Sequence, residues 1–190
     1  MADAWDPDKD TAAGNACKSY GAAAIMRVPG RVRFSWQDDD TLKIETDAGQ
    51  QTRLLHFGDR ATPPATGDAG YQGFSAAAWE YAGGFNPNAG ANSGGAGSPV
   101  PAGGALKVLT TKMKAGYLRK NGVPYSGSAV MTEYYDRHTE GNGDEWFTVT
   151  TIVTDPTYLT EDFFTTSHFK REAPAGQADP KWRPAPCAAR

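Results

Sequence analysis

The sequence is poor in the groups that usually announce a chemistry: 190 residues hold two cysteines and three histidines. Neither a C-x-x-C pair nor a cysteine–histidine cluster occurs, so no zinc or other metal site is expected. The G-x-S-x-G elbow, the G-x-x-x-x-G-K-[ST] loop, the H-E-x-x-H pair and the dinucleotide fingerprint after a strand are all missing. Any catalysis is therefore expected to be cofactor-free and to use a dispersed site. Three successive aspartates, Asp38, Asp39 and Asp40, lack EF-hand spacing and read as a hairpin turn.

Long apolar runs are missing too, and none approaches the roughly 18 residues that a membrane span requires. With 19 basic against 22 acidic residues the formal net charge is −3. No block of lysine or arginine stands out, so no nucleic-acid partner is expected. The chain opens Met1-Ala2-Asp3-Ala4-Trp5-Asp6, acidic where a signal peptide would be basic and then apolar. An exported protein is thus expected to be present here as its mature form with an added start methionine.

Turn formers are abundant. The 22 glycines and 13 prolines make up about 18% of the chain, against about 12% in average usage, which points to an all-β chain and away from a helical bundle. Short β-branched and aromatic runs alternate with turn signals, as in an antiparallel meander. Strands are expected over 32–36, 42–46, 52–57, 106–117, 130–138, 146–154 and 163–170. The alanine-rich stretch 71–82 is ambiguous between helix and strand and is read as an eighth strand. One domain over 1–190 is expected. An N-terminal arm covers 1–29, a closed up-and-down barrel 30–172 and a C-terminal arm 173–190, with both arms extended. Within the barrel, the Gly-rich segment 83–104 is read as a surface loop, or alternatively as a lid over the mouth.

Cys17 and Cys187 lie in irregular polar segments near opposite ends. They are expected to form a disulfide, the alternative being two unrelated cytosolic thiols. In the chain-entropy account, closing about 170 residues removes on the order of 5 kcal/mol of unfolded-state freedom. A periplasmic or secreted location follows.

Strand parity supplies the candidate site, because successive side chains point to opposite faces. In Val130 to His138, Glu133, Tyr135 and Arg137 share one face, while Asp136 and His138 share the other with Tyr134. Either parity carries an acid inward, which is costly unless the acid is bonded or engaged with a ligand. The inward set is read as Glu133, Tyr135, His56 and His168. Glu133 is expected to act as base, a histidine as acid or relay, and Tyr135 as donor to a developing oxyanion. Trp36, Tyr117 and Trp146 are expected to wall the ligand site together with Arg53. The alternative for Glu133 and Arg137 is an exposed charge ladder.

The segment Gly30-Arg31-Val32-Arg33-Phe34-Ser35-Trp36 places a glycine before a tryptophan on the first strand. In this, and in its meander, the chain resembles the lipocalin-like, or calycin, barrels over residues 30–172. The family's G-x-W spacing is not reproduced, so no family residue is carried over. Met26 to Arg31 and Lys120 to Tyr125 are also similar to exported bacterial proteins of undefined role. The resemblance implies a barrel enclosing one small molecule. Barrels of this shape include cofactor-free cyclases such as the allene oxide cyclases, so both binding and catalysis are open. The leading expectation is an exported, cofactor-free enzyme doing acid–base chemistry on a small apolar or aromatic molecule, as an isomerase, cyclase, lyase or hydrolase. The alternative is a carrier that binds such a molecule unchanged. A monomer or homodimer is expected.

Overall fold

The computed structural model describes residues 5–68, 70–81, 104–172 and 181–189. The chain starts with a short helix, α1 (Pro7–Ala12), whose first turn is capped by the Asp6 carboxylate accepting from the Asp8 and Lys9 amides at 3.0 and 3.4 Å. A 3-10 turn (Ala16–Tyr20) and a single helical turn, α2 (Ala22–Ile25), follow.

Among the described residues ten strands come next: β1 (Val32–Asp38), β2 (Thr41–Thr46), β3 (Thr52–His56), β4 (Phe74–Tyr81), β5 (Gly104–Thr111), β6 (Gly116–Tyr117), β7 (Pro124–Tyr125), β8 (Val130–Thr139), β9 (Glu145–Thr154) and β10 (Phe163–Lys170). Eight of them form one sheet in the order β1-β2-β3-β4-β5-β8-β9-β10, with β6 and β7 as a separate small ladder. The ambiguous 71–82 stretch is a strand, β4, while the expected strand 106–117 ends at Thr111 and resumes as β6.

Two features correct the expected closed up-and-down barrel. The sheet curls through 215° into an open half-barrel, and its edge strands β1 and β10 do not pair with one another. In addition, β3 and β4 run parallel, through Leu55↔Ser75 and His56↔Ala76, so the meander is broken by a crossing connection. The Gly-rich segment 83–104 falls almost wholly outside the described residues, as does the first part of the C-terminal arm.

What the concave face wraps explains the missing closure. Leu42, Ile44, Leu55, Val108 and Val149 point inward and pack against Tyr20, Ile25 and Met26. Met113, Leu118, Met131 and Val153 pack against Ala22 and Ala23. The N-terminal segment is therefore no extended arm: residues 20–26 are a buried plug. A four-residue helix has too few hydrogen bonds to persist alone, so burial holds it, and its alanines let the backbone approach the sheet. Gly21 is required at that approach, since a Cβ there would lie 2.5 Å from the Tyr125 hydroxyl.

The far end of the chain straps onto the outside of the plug. Ala185 bridges Ala48, with its amide donating to the Asp47 carbonyl at 2.9 Å. Cys187 is joined to Cys17 across 170 residues. No helix among the described residues is long and apolar enough to cross a membrane.

Candidate functional site

Four adjacent strands bring polar groups together inside the half-barrel. Arg53 on β3, Ser75 on β4, Thr110 on β5 and Glu133 with Tyr135 on β8 share the concave face through the registers Leu55↔Ser75, Ser75↔Thr110 and Val108↔Glu133. The Arg53 guanidinium donates to both Glu133 oxygens, at 3.1 and 2.6 Å, and to the Tyr135 hydroxyl at 3.4 Å. Ser75 and Thr110 hydroxyls lie 2.8 Å apart, with Thr110 accepting from Arg53 at 3.3 Å. Arg53 is 2% exposed and Glu133 is 0% exposed. Burial alone would lower the Arg53 pKa, but the Glu133 charge outweighs it and holds the guanidinium more firmly protonated than usual. Burial, reinforced by Glu133, pushes the Tyr135 phenol well above its ordinary value.

This knot sits one ring behind a cleft. Tyr135 meets Phe34 edge-on at 6.2 Å and stacks on Phe147 at 6.4 Å, and Phe147 stacks on Phe169 at 4.7 Å. Phe34, Phe147 and Phe169 floor an open cleft of about 810 Å³ between the unpaired edges of β1 and β10. Trp146 and Trp182 also line it.

The cleft's charge is at odds with the acidic chain around it. Five lining residues are arginine or lysine and two are glutamate. Some of these charges are spoken for. Lys170 donates to Asp144 at 2.6 Å, Arg31 donates to Glu172 at 3.2 Å, and the Arg33 guanidinium lies 3.8 Å from the Trp182 ring centre. Arg137 and Arg171, however, both converge on the single carboxylate of Glu145. Their hydrogen bonds hold the Glu145 carboxyl below its usual range. Two guanidiniums on one carboxylate leave an excess of positive charge beside an aromatic floor.

Of the residues singled out in the sequence, Arg53, Glu133 and Tyr135 are brought together in the knot, and Trp146 and His168 line the cleft. The rest lie apart. His56 faces the convex side, stacked on Phe74 at 4.9 Å, and partial burial with the Arg60 charge lowers its pKa. His168 also belongs to the outward parity of β10, with its Nδ1 3.0 Å from Thr148 Oγ1. The two histidines therefore cannot serve as acid or relay to Glu133. Trp36 is exposed on the rim beside Phe57, at 5.4 Å, and Tyr117 meets Trp5 at the first helix, 6.1 Å away.

Sequence reasoning missed Arg31, Arg33, Arg171 and Trp182. Arg137 was signalled by its parity with Glu133, but Trp182 lay in a segment with no pattern to read. Among the described residues no group of three or more His, Cys, Asp or Glu could hold a metal ion. Comparison with family models, curated proteins and solved structures finds no match.

Proposed function

We propose that the protein is a binding module that captures a small anionic molecule bearing an aromatic ring, in the cleft between β1 and β10. The observation that carries this reading is the convergence of Arg137 and Arg171 on Glu145 above a floor of phenylalanines. The cation-rich lining on a chain of net charge −3 draws an anion to this face.

Capture is favoured over turnover by where the acids lie. Both oxygens of Glu133 are taken by Arg53 and its side chain meets no solvent, so it has no route to a substrate proton. In the cleft, Glu145 is locked between two guanidiniums and is a poor base. The ligand also sits elsewhere than in a lipocalin-like barrel, because the plug of residues 20–26 fills the interior. The Cys17–Cys187 disulfide supports a periplasmic or secreted location.

Fluorescence titration with 1-anilinonaphthalene-8-sulfonate, beside the neutral N-phenyl-1-naphthylamine, tests the reading. The sulfonate is expected to bind about ten-fold or more tightly than its uncharged analogue, corresponding to one charge-assisted contact. That gap should close in the Arg137→Gln, Arg171→Gln double variant and shrink with added salt. Both side chains are well exposed, so the fold is not at risk. Equal affinities for the two dyes, or a gap that survives the double variant, would sink the proposal.

A further inference from the structure

A second cationic pocket lies at the opposite end of β10, where the plug leaves the sheet. It encloses about 350 Å³ between the segment after α2 and the turn joining β6 to β7. Arg27, Arg119 and Lys120 line it together with Val28 and Leu118, and among the described residues no acidic one does.

The two arginines share one ring. The Arg27 guanidinium carbon is 4.8 Å from the centre of Phe163 and that of Arg119 is 5.4 Å from it. Arg27 donates to the Ala23 carbonyl at 3.1 Å, which fixes its direction. Lys120 reaches the Tyr20 hydroxyl at 3.2 Å. Among the described residues neither Arg27 nor Arg119 lies within salt-bridge distance of a carboxylate. Arg27 is half-buried and Arg119 is exposed; a half-buried guanidinium normally acquires a carboxylate partner, because desolvation of an uncompensated charge is costly. Burial first, and then the charge of Arg119, bring the Arg27 pKa down to about 10. Two like charges are thus held on one ring with no acid among the described residues within salt-bridge distance of either.

We infer that this pocket is an oxyanion site, in which Arg27, Arg119 and Lys120 take a phosphoryl, sulfuryl or carboxylate group while Leu118 and Val28 receive a short apolar substituent on it. The planar guanidiniums, already oriented by Phe163, offer paired N–H donors of the geometry that such oxyanions accept. This site is independent of the β1/β10 cleft. It shares no lining residue with it and rests on no property of the cleft.

Isothermal titration of the full disulfide-bonded chain with n-butyl phosphate, which carries no ring for the β1/β10 cleft, and separately with inorganic phosphate, tests the inference. Saturable 1:1 binding of n-butyl phosphate is expected, with inorganic phosphate weaker because it leaves the apolar wall unused. Arg119→Gln is the lead variant because this side chain is exposed and its loss spares the core. It should weaken n-butyl phosphate about ten-fold or more, with Arg119→Lys in between, whereas Arg137→Gln with Arg171→Gln should leave it unchanged. Absence of saturable binding of either anion up to about 10 mM, a millimolar floor for a specific site, would overturn the inference. So would binding that Arg119→Gln leaves intact, or binding that only the cleft variants abolish. Failure of the dye titration alone removes the cleft reading and leaves this one standing.

Discussion

Glu133 and Arg53 lie 80 residues apart in the chain and meet only because β3, β4, β5 and β8 are neighbours. A buried pair of this kind is weak evidence for stability, since desolving two ions costs about as much as their attraction returns. Removing one partner is another matter. Glu133→Gln is expected to cost about 3–5 kcal/mol, because Arg53 is left as an uncompensated buried charge. Arg53→Met with Glu133→Leu should recover most of that loss. Denaturant unfolding of the three variants checks this, and a Glu133→Gln loss below about 1 kcal/mol would contradict a sealed ion pair. Strand parity made the shared face of Glu133 and Tyr135 legible in the sequence. The partner was not legible as a partner, because parity says which face a residue occupies and nothing about which distant strand lies opposite. The chemistry changes with that partner: a lone buried acid is a candidate base, whereas one held by a guanidinium fork is a structural tie.

At the scale of elements, the hairpins were readable and the plug was not. Asp38 to Asp40 does turn the chain, with the Asp38 carboxylate accepting from the Asp40 amide at 3.0 Å. β10 alternates strictly in exposure, but its sequence mixes apolar and polar residues on both parities, and His168 takes the outward one rather than the inward one expected. Ala22 to Ile25 carries no amphipathic pattern because it is buried all round, and so small a set of residues reads as a linker until a sheet surrounds it. Another element-level tie is Asp155, beyond the end of β9, which accepts from the Ser126 amide at 2.5 Å, the Ser126 hydroxyl at 2.8 Å and the Thr157 amide at 2.9 Å. Burial works to raise its pKa, but these hydrogen bonds outweigh burial and hold it below its usual value. The stabilisation is therefore present above the unfolded-state pKa near 4 and is lost as pH falls through the lower folded value. Asp155→Asn should cost about 1–3 kcal/mol at pH 7, the scale of an unsatisfied buried group. The difference from the parent should shrink below about pH 4. A penalty constant from pH 7 to pH 2 would show that the carboxylate charge plays no part.

The described molecule is a sheet that stops short of closing, wrapped around the plug of residues 20–26 and strapped by residues 185–188. The Cys17–Cys187 bond joins the 3-10 turn that leads into the plug to the strap, and the strap brings Trp182 to the wall of the seam that closure would have sealed. The residues flanking the seam, Arg31 and Arg33 on one side and Lys170 and Arg171 on the other, discourage edge-to-edge pairing while making the gap attractive to anions. Fold class and disulfide were legible from composition and cysteine placement. The open seam was not, since it depends on how much room the plug takes. The most direct measurement is an NMR titration of the indole N–H signals of the five tryptophans with 1-anilinonaphthalene-8-sulfonate. Trp146 and Trp182 are expected to shift and saturate together, while Trp5, Trp36 and Trp79 stay in place. Saturable shifts confined to Trp36 and Trp79, the exposed aromatic rim around Phe57, would contradict a ligand seated between β1 and β10.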